Sequence, residues 1–534
     1  MPLPQPMPAL IPPPRSVRAI EGDLGWCPVP GLFVVAADPA LRRDALGLAS
    51  ELASLGLDAE TVPVGTSPAH EVLSEAPVGS DGPGVPERVH VVLRLVAARP
   101  GECQAQAYEL TVTEVGAVVE ASTCAGVHLG TRTLLQLVAG ALTDARTTGL
   151  APRVPAVAIE DRPASEVRAF HLDVARKSFS LDWLKGQIRE MSWIKLNELQ
   201  LHLSEDEGFR LALRRHPEVV SPEHLSQDGL RELLALAERH RVRVVPALDV
   251  PGHMSQVLRS HPELRAGDSP AGRRILDYSR PEARALVIEL IEEVAPLFPS
   301  NAWHLGGDEV FPLDSVTWSA DEHERLAQDF PRLLEYAREH AAAGEAATVL
   351  DGYVAYLNTV VARLRELGKT DVRVWNDALG LPGVTERIHP DVTITYWTAW
   401  HEGFASVRDF VNDGHRLINF NDACFYDVLT TSGRAYGTPP DLSDVYKWAP
   451  GLYPRHRAAG AQDWRGEVPS WDRGASYSIW CDVPEVRTED EVARRARPWR
   501  RVLASRAWNP DDSVPWERWR AVEAELPAPP TPRE

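Results

Sequence analysis

The chain has 534 residues and a mass of 58.9 kDa, which is too long for one hydrophobic core, so the length predicts at least two domains. A net charge of -20 and a pI near 5.4 argue against nucleic acid or an anionic membrane as a partner, because both select basic surfaces. The apolar and charged fractions, 44% and 25%, are typical of a globular protein.

The chain begins with a Pro-rich stretch, residues 1–20, which lacks the continuous apolar run of a secretory signal. We therefore expect a flexible leader there and a cytoplasmic protein, or a secreted one if a signal was removed ahead of it. Nowhere does the sequence approach the ~20 consecutive apolar residues of a membrane span, so no membrane partner is expected.

Residues 21–163 alternate strand-like and helical runs, which predicts a small α/β domain. Three prolines within residues 152–163 indicate a linker after it. The expected strands are Gly31–Ala36, Val89–Leu95, Glu109–Thr113 and Ala117–Ala121, and the expected helices are Leu41–Leu55 and Gly130–Leu142.

Residues 164–510 show a more regular alternation of short strands with amphipathic helices. Eight such strands fit a (β/α)₈ TIM barrel better than a doubly wound sheet, so the predicted fold is α/β, a TIM barrel preceded by a smaller α/β domain. Residues 511–534 are expected to form a C-terminal tail. The predicted strands are Val167–Asp173, Glu198–Leu203, Val242–Asp249, Ala302–Gly306, Val372–Trp375, Val392–Trp397, Arg416–Phe420 and Ser476–Trp480.

Polar and aromatic residues follow these strands. The carboxyl ends of all barrel strands meet at one mouth, where barrel enzymes keep their active sites. The sequence therefore predicts one site built from many strand ends. Its candidate residues are Arg176, Glu205, Asp206, Asp249, His253, Asp308, Glu309, Trp375, Asp377, Trp397, Tyr426, Trp480 and Asp482.

The most informative of these stretches is 303–310. An acidic pair alone means little in a chain with 76 acidic residues. Here, however, Gly306 and Gly307 precede Asp308 and Glu309 at the end of a short strand, and glycines let the backbone turn sharply or approach a ligand. This arrangement predicts that both carboxylates reach one site.

The run from His304 to Val310 resembles the signature of family 20 glycoside hydrolases, the β-N-acetylhexosaminidases. Further segments resemble the same family in the same order, over about residues 125–482. They are Gly126–Leu137, Leu172–Arg176, Leu201–Arg210, Ala247–His253 and Ile479–Asp482.

The resemblance implies a mechanism in which the substrate supplies the nucleophile. The carbonyl oxygen of its 2-acetamido group attacks the anomeric carbon and forms an oxazolinium intermediate. Glu309 would be the general acid and then the base, with a raised pKa, while Asp308 would stay ionised and orient the acetamido group. Neighbouring Cα atoms are only ~3.8 Å apart, so an adjacent pair is poorly placed to flank a sugar from opposite sides.

The resemblance also assigns roles to other residues at the strand ends. Sugar hydroxyl groups would be bound by Arg176 and Asp482, and Asp377 is a further candidate for substrate binding. The walls around the ring and the acetamido methyl group would be Trp375, Trp397 and Trp480.

His253 would bridge a carboxylate to the catalytic acid, and here the sequence departs from the family pattern. The family usually has two aspartates where this chain has Glu205 and Asp206, so either could be the partner of His253. The family tyrosine that donates to the acetamido carbonyl is expected where Phe425 stands. Phenylalanine has no donor, so the prediction is the next residue, Tyr426.

The predicted function is an exo-acting retaining glycoside hydrolase that removes terminal β-linked N-acetylhexosamine from an oligosaccharide or glycoconjugate. The alternatives are a family member that releases a disaccharide, as a lacto-N-biosidase does, or a modified GlcNAc, and a catalytically silent sugar-binding barrel. No His-x-His or His-Glu-x-x-His spacing occurs, so neither a metal nor another cofactor is expected. The sequence predicts no oligomeric state.

Overall fold

A computed structural model describes two packed domains, each built on its own sheet. No helix within the described ranges is both long and apolar enough to cross a membrane. Those ranges are residues 10–28, 33–63, 89–98, 105–311, 320–431, 441–466, 468–510 and 514–532.

The first domain has a mixed sheet of seven strands. They are β1 (Ser16–Ala19), β2 (Phe33–Ala37), β3 (Ala59–Pro63), β4 (Val89–Leu95), β5 (Tyr108–Thr113), β6 (Gly116–Ala121) and β7 (Val157–Asp161). Their order in the sheet is β1-β7-β5-β6-β4-β2-β3. Strands β3, β2, β4 and β6 pair in parallel, whereas β5 and β7 run antiparallel to their neighbours. Helices α1 (Arg42–Ser54) and α2 (Cys124–Thr148) pack against this sheet.

The second sheet closes into a parallel barrel. Its strands are β8 (Val167–Asp173), β9 (Glu198–His202), β10 (Arg243–Ala247), β11 (Ala302–His304), β12 (Asp371–Trp375), β13 (Thr393–Tyr396), β14 (Leu417–Asn419), β15 (Tyr426–Val428) and β16 (Asp472–Trp480). Both β14 and β8 pair with β16, which closes a ring of eight strands. The short β15 also pairs with β16, beyond the end of β14.

Helices surround the barrel, and the strands between them are buried on both faces. All seven residues of β8 are buried, as expected of a parallel strand with helices outside and side chains inside. The hydroxyl groups of Ser180 and Ser226 cap the first turns of α3 and α4. The helices are α3 (Leu181–Trp193), α4 (Gln227–Arg239), α5 (Ser255–Ser260), α6 (Pro281–Val294), α7 (Ala320–Asp329), α8 (Pro331–His340), α9 (Val349–Glu366), α10 (Val407–Asn412), α11 (Asp422–Phe425), α12 (Leu442–Val445), α13 (Glu489–Trp508) and α14 (Trp516–Glu525).

The predicted architecture, a TIM barrel preceded by a smaller α/β domain, is confirmed, and each of the eight predicted barrel strands is present. Differences lie at the edges of the domains. Strand β1 lies within residues 1–20, where a flexible leader is predicted, and β7 lies within the predicted linker. The prolines that flank β7 hide a strand whose alternate residues are buried. Helix α14 lies in the predicted tail and buries Trp519.

Asp161, at the end of β7, joins the two domains. Its carboxylate accepts hydrogen bonds from the hydroxyl of Tyr108 at 2.5 Å and from Nε1 of Trp508, the last residue of α13, at 2.8 Å. The ammonium group of Lys195, which follows α3, lies 3.2 Å from the same carboxylate. Burial lowers the pKa of Lys195 to about 8, although Asp161 acts to raise it. The interface between the domains is therefore polar as well as apolar.

Candidate active site

A cavity of about 90 Å³ opens at the carboxyl ends of the barrel strands, where the sequence predicts a site. Four predicted residues, Asp206, Asp249, Trp375 and Asp377, do not line this cavity within the described part of the chain. The lining residues are Arg176, Glu205, His253, Asp308, Glu309, Trp397, Tyr426, Val428, Trp480 and Asp482.

A sharp turn after β11 places the adjacent carboxylates. Gly306 and Gly307 have φ angles of 71° and 85°, and Glu309 has a φ of 45°. These left-handed residues interrupt the alternation of a strand, which would send neighbouring side chains to opposite faces. A Cβ atom on Gly306 would lie 1.1 Å from Oδ1 of Asp249, so the chain approaches too closely for any side chain there. The turn thus delivers both Asp308 and Glu309 to the cavity.

Glu309 has the surroundings of a proton donor. Its side chain is 46% exposed, and Oε2 lies 3.8 Å from Nε2 of His253. Partial burial raises the pKa of Glu309; His253 opposes that rise, and the neighbouring carboxylate of Asp308 adds to it. A carboxyl group with a raised pKa is suited to general acid catalysis near neutral pH.

His253 is held by Glu205. Nδ1 of His253 lies 2.6 Å from Oε1 of Glu205 and 3.8 Å from Oδ2 of Asp206. Burial alone would lower the pKa of His253, but the carboxylates of Glu205 and Asp308 outweigh it and raise that pKa well above its ordinary value. Of the two candidate partners the sequence leaves open, Glu205 therefore makes the contact, through its longer side chain.

Asp206 lies beside this pair and outside the cavity. Its carboxylate accepts hydrogen bonds from the backbone N–H and the hydroxyl of Ser255, at 3.0 and 2.5 Å, and from Nε of Arg274 at 2.5 Å. A terminal nitrogen of Arg274 also lies 3.2 Å from Nδ1 of His253. No strand-end pattern in the sequence marks Arg274, because it lies in an irregular segment. Asp206 and Arg274 thus lie in contact with each other and with the pair formed by Glu205 and His253.

Arg176 is fixed by three carboxylates. Its guanidinium lies 3.0 Å from Asp173, 2.6 Å from Glu205 and 3.3 Å from Glu207. It also stands over the ring of Trp480, with 5.6 Å between the guanidinium carbon and the ring centroid. These contacts hold a rigid, charged donor in the cavity wall.

Aromatic rings form much of the remaining wall. The rings of Trp397 and Tyr426 are parallel within 4°, with centroids 5.9 Å apart, and Tyr426 lies 6.1 Å from Trp480. Trp375 is only 1% exposed and lies one layer deeper, 6.1 Å from Trp480. The sequence predicts Trp375 as a wall of the pocket, but its ring supports that wall from inside the barrel.

Asp377 makes two contacts that organise the site. Its Oδ1 accepts a hydrogen bond from Nε1 of Trp397 at 2.9 Å, and its Oδ2 accepts one from the backbone N–H of Glu309 at 2.8 Å. Burial raises the pKa of Asp377 to about 7, and the nearby Asp308 contributes to that rise. The sequence predicts Asp377 as a substrate-binding residue; its carboxylate contacts Trp397 and Glu309, and it also lines a larger neighbouring cavity.

Phe425 and Tyr426 point to different places. Phe425 is fully buried at the end of α11, where its ring lies 4.9 Å from that of Trp448. Tyr426 begins β15 and lines the cavity. Of these two residues, only Tyr426 lies among the described residues that line the cavity.

A second cavity of about 430 Å³ adjoins the first. The two share His253, Glu309 and Trp397, so Glu309 stands between them. Trp400, which is 45% exposed, and Arg274 line the larger cavity. The site thus has a small compartment and a larger one, with Glu309 at their boundary.

Two family models match this chain. Residues 166–511 match the model described as glycosyl hydrolase family 20, catalytic domain, and residues 7–162 match the one described as glycosyl hydrolase family 20, domain 2. The first match covers the barrel, and the second covers the smaller domain.

Individual proteins resemble the chain along most of its length. A lacto-N-biosidase from Bifidobacterium bifidum is 26% identical over 518 residues, which cover 95% of this chain and 40% of the relative. A β-hexosaminidase from Vibrio furnissii is 31% identical over 442 residues, which cover 74% of this chain and 64% of the relative. The chain therefore spans less than two thirds of the length of either relative.

A solved structure shares the fold. It is a family 20 exo-β-N-acetylglucosaminidase from Vibrio harveyi in complex with N-acetylglucosamine, with a TM-score of 0.72 and 18% sequence identity. The superposition covers 97% of this chain and 76% of that one. At this identity, the likeness supports the arrangement of the domains.

Proposed function

The chain belongs to glycosyl hydrolase family 20, and from this premise we propose that it is an exo-acting, retaining β-N-acetylhexosaminidase. It removes terminal non-reducing β-linked N-acetylglucosamine or N-acetylgalactosamine from oligosaccharides or glycoconjugates. The turn after β11 carries the proposal, because it brings the adjacent carboxylates of Asp308 and Glu309 into one small cavity walled by Trp397 and Trp480.

In the proposed reaction, Glu309 protonates the glycosidic oxygen as the bond to the leaving group breaks. Its raised pKa favours the protonated form that this step needs, and the cavity beyond it, lined by Trp400 and Arg274, receives the departing part of the substrate. Glu309 then accepts a proton from the water that opens the intermediate. His253, held by Glu205, keeps the carboxylate in place between these steps.

Asp308 acts on the acetamido group. The carbonyl oxygen of that group attacks the anomeric carbon, and Asp308 orients its N–H and offsets the positive charge of the oxazolinium ion. One oxygen of Asp308 is buried without a hydrogen-bond partner among the described residues, which fits an acceptor that waits for a substrate donor. Tyr426 donates to the acetamido carbonyl oxygen from the facing wall.

The hydroxyl groups at the other end of the sugar are bound by Arg176 and Asp482. Both line only the smaller cavity, as does Trp480, whose ring packs against a face of the pyranose. Burial raises the pKa of Asp482, whereas Arg176 acts to lower it. Charged groups that close this end favour release of one sugar at a time.

A second candidate is the release of a disaccharide. It is favoured by the lacto-N-biosidase that resembles 95% of this chain. A disaccharide would have to extend past Arg176 and Asp482, so the small cavity supports the monosaccharide. Comparing aryl glycosides of GlcNAc, GalNAc, 6-sulfo-GlcNAc and lacto-N-biose separates these possibilities, and exclusive turnover of the disaccharide glycoside would select the second candidate.

We expect the first product of hydrolysis to be the β-anomer of N-acetylhexosamine. Attack by the acetamido oxygen inverts the anomeric carbon once and attack by water inverts it again, so the configuration is retained. Proton NMR recorded from the first minutes of reaction measures the anomer ratio before mutarotation, which a product standard in the same buffer calibrates. An α-anomer formed first would contradict the mechanism.

Replacing His253 by asparagine is expected to move the basic limb of the pH profile of kcat/KM upward, by roughly one pH unit. The positive charge of His253 lowers the pKa of Glu309, so its removal raises that pKa and keeps the acid protonated to higher pH. The measurement is kcat/KM against pH for both proteins, with circular dichroism as the control for folding. A limb that stays in place or moves to lower pH would contradict this electrostatic role.

A further inference from the structure

Away from the cavity, two histidines and a glutamate meet where the segments after β9 and β10 pack together. They are His216, Glu218 and His261, and their side chains are 14%, 42% and 24% exposed. We propose that these three residues form a zinc-binding site that fastens the two segments to each other. The site is distinct from the catalytic cavity and does not depend on the proposed function.

The potential ligand atoms already lie close to the spacing that zinc requires. Nδ1 of His216 and Nε2 of His261 lie 3.1 and 3.2 Å from the same oxygen, Oε1 of Glu218. The three residues can offer ligand atoms that all lie within 4.8 Å of one another. Ligands about 2.0–2.2 Å from a tetrahedral zinc ion are roughly 3.3–3.5 Å apart, so a modest side-chain movement makes room for the ion.

The backbone presents the two histidines in the same way. Each begins a His-Pro-Glu sequence, at 216–218 and at 261–263. The φ and ψ angles are -127° and 57° at His216, and -128° and 58° at His261, and each histidine precedes one turn of 3₁₀ helix. Two matching turns thus bring a ring nitrogen of each histidine to the same oxygen of Glu218.

Hydrogen bonds hold these turns together without help from the site itself. Nε2 of Gln256 donates to the carbonyl oxygen of Val219 at 3.0 Å. The hydroxyl of Ser260 donates to the backbone carbonyl oxygen of Glu218 at 2.8 Å. Both donors belong to α5, which leads directly into His261. The frame is therefore already organised, which lowers the conformational cost of binding an ion.

A further carboxylate faces the other ring nitrogen of His216. Nε2 of that ring lies 2.8 Å from Oε2 of Glu289 on α6. When neutral His216 donates from Nε2, its Nδ1 carries a lone pair that faces an oxygen of Glu218 at 3.1 Å. A cation between the two removes this repulsion. A carboxylate on the second ring nitrogen is also the usual outer partner of a zinc-bound histidine.

The mixture of imidazole and carboxylate ligands selects the class of ion. Imidazole suits zinc and its transition-metal neighbours, whereas magnesium and calcium prefer sites made of oxygen alone. Three protein ligands leave a fourth position for a water molecule.

The site bears on the catalytic region through α5. This helix begins at Ser255, which donates twice to Asp206 beside the cavity, and it ends next to His261. The hydrogen bonds of Ser255 connect the segments of Glu205 and His253 at the start of α5. An ion bound by His216 and His261 would connect the same two segments at its end. The inferred role of the ion is to stabilise the packing of the segments that follow β9 and β10.

The test uses full-length protein without a histidine tag, stripped of metal. Calorimetric titration with zinc chloride is expected to give one site per chain, and magnesium chloride no binding. Saturating zinc should raise the Tm by roughly 2–5 °C. Glu289→Gln should weaken zinc binding by roughly 10- to 100-fold.

His261→Ala should abolish both the titration and the Tm shift. The control is His389→Ala, because His389 is an exposed histidine beside an aspartate elsewhere on the surface, and its loss should leave both signals intact. If His261→Ala folds poorly, Glu218→Gln serves in its place. Equal zinc binding by wild type and both ligand variants, or no zinc binding by the wild type, would overturn the proposal and leave the cluster as a hydrogen-bond network.

Discussion

Replacing Glu309 by glutamine is expected to slow hydrolysis of natural glycosides by roughly 10²- to 10⁴-fold, with little change in Tm. Glutamine keeps the size of the side chain but cannot donate a proton to the glycosidic oxygen. Sugars are poor leaving groups that depart only when protonated, so the loss falls on kcat and kcat/KM together. The side chain is half exposed, which is why the fold should tolerate the change.

The sharper measurement compares leaving groups. The phenolate of an aryl glycoside with an acidic phenol leaves without protonation. Glu309→Gln should therefore slow the release of the aryl group far less than the release of a sugar. Asp321→Asn, which alters an exposed carboxylate on α7, is the matched control and should behave as wild type on both. Equal losses on good and poor leaving groups would assign Glu309 another role.

Asp308→Asn is expected to reduce kcat/KM for N-acetylhexosaminides by roughly 30- to 1000-fold. The amide keeps the shape of the carboxylate but removes the charge that opposes the oxazolinium ion. A thiazoline mimic of that ion should therefore inhibit the variant much less than the wild type. The inhibition constants of both proteins, measured with one substrate and at one pH, test this directly.

Asp308 has a competing role as a covalent nucleophile, and trapping distinguishes the two. A 2-fluoro glucoside lacks the acetamido group, so it should leave no adduct on the wild-type protein, as judged by intact-mass spectrometry. A sugar attached to Asp308 would show that the carboxylate attacks carbon, and the mechanism that depends on the acetamido group would then be wrong.

Features that depend on neighbouring residues could be predicted from the sequence. The bounds of β8, Val167–Asp173, match the prediction. The pair Asp308-Glu309 and its glycines form a local motif, and the φ angles of Gly306 and Gly307 supply the physical reason for those residue types.

Features that depend on contacts between distant segments could not be predicted from the sequence. The choice of Glu205 over Asp206 rests on a contact with His253, 48 residues away. The depth of Trp375 depends on how far β12 is shifted along the barrel, which its own sequence does not encode. Arg274 joins the site from an irregular segment that has no periodic pattern. In each case, the missing information is tertiary.

The contact at Asp161 limits how freely the two domains can be exchanged between relatives. The carboxylate of Asp161, on the smaller domain, accepts hydrogen bonds from Lys195 and Trp508 of the barrel. Both residues lie at the end of the barrel where the strands begin, opposite the catalytic mouth. Removing one partner of a buried ion pair costs about 3–5 kcal/mol, because the remaining charge is left uncompensated. In a barrel grafted onto a foreign first domain, the charge of Lys195 is therefore left uncompensated unless that domain has an acid at the position of Asp161. The two domains thus form a matched pair, even though no described residue of the smaller one lines the cavity.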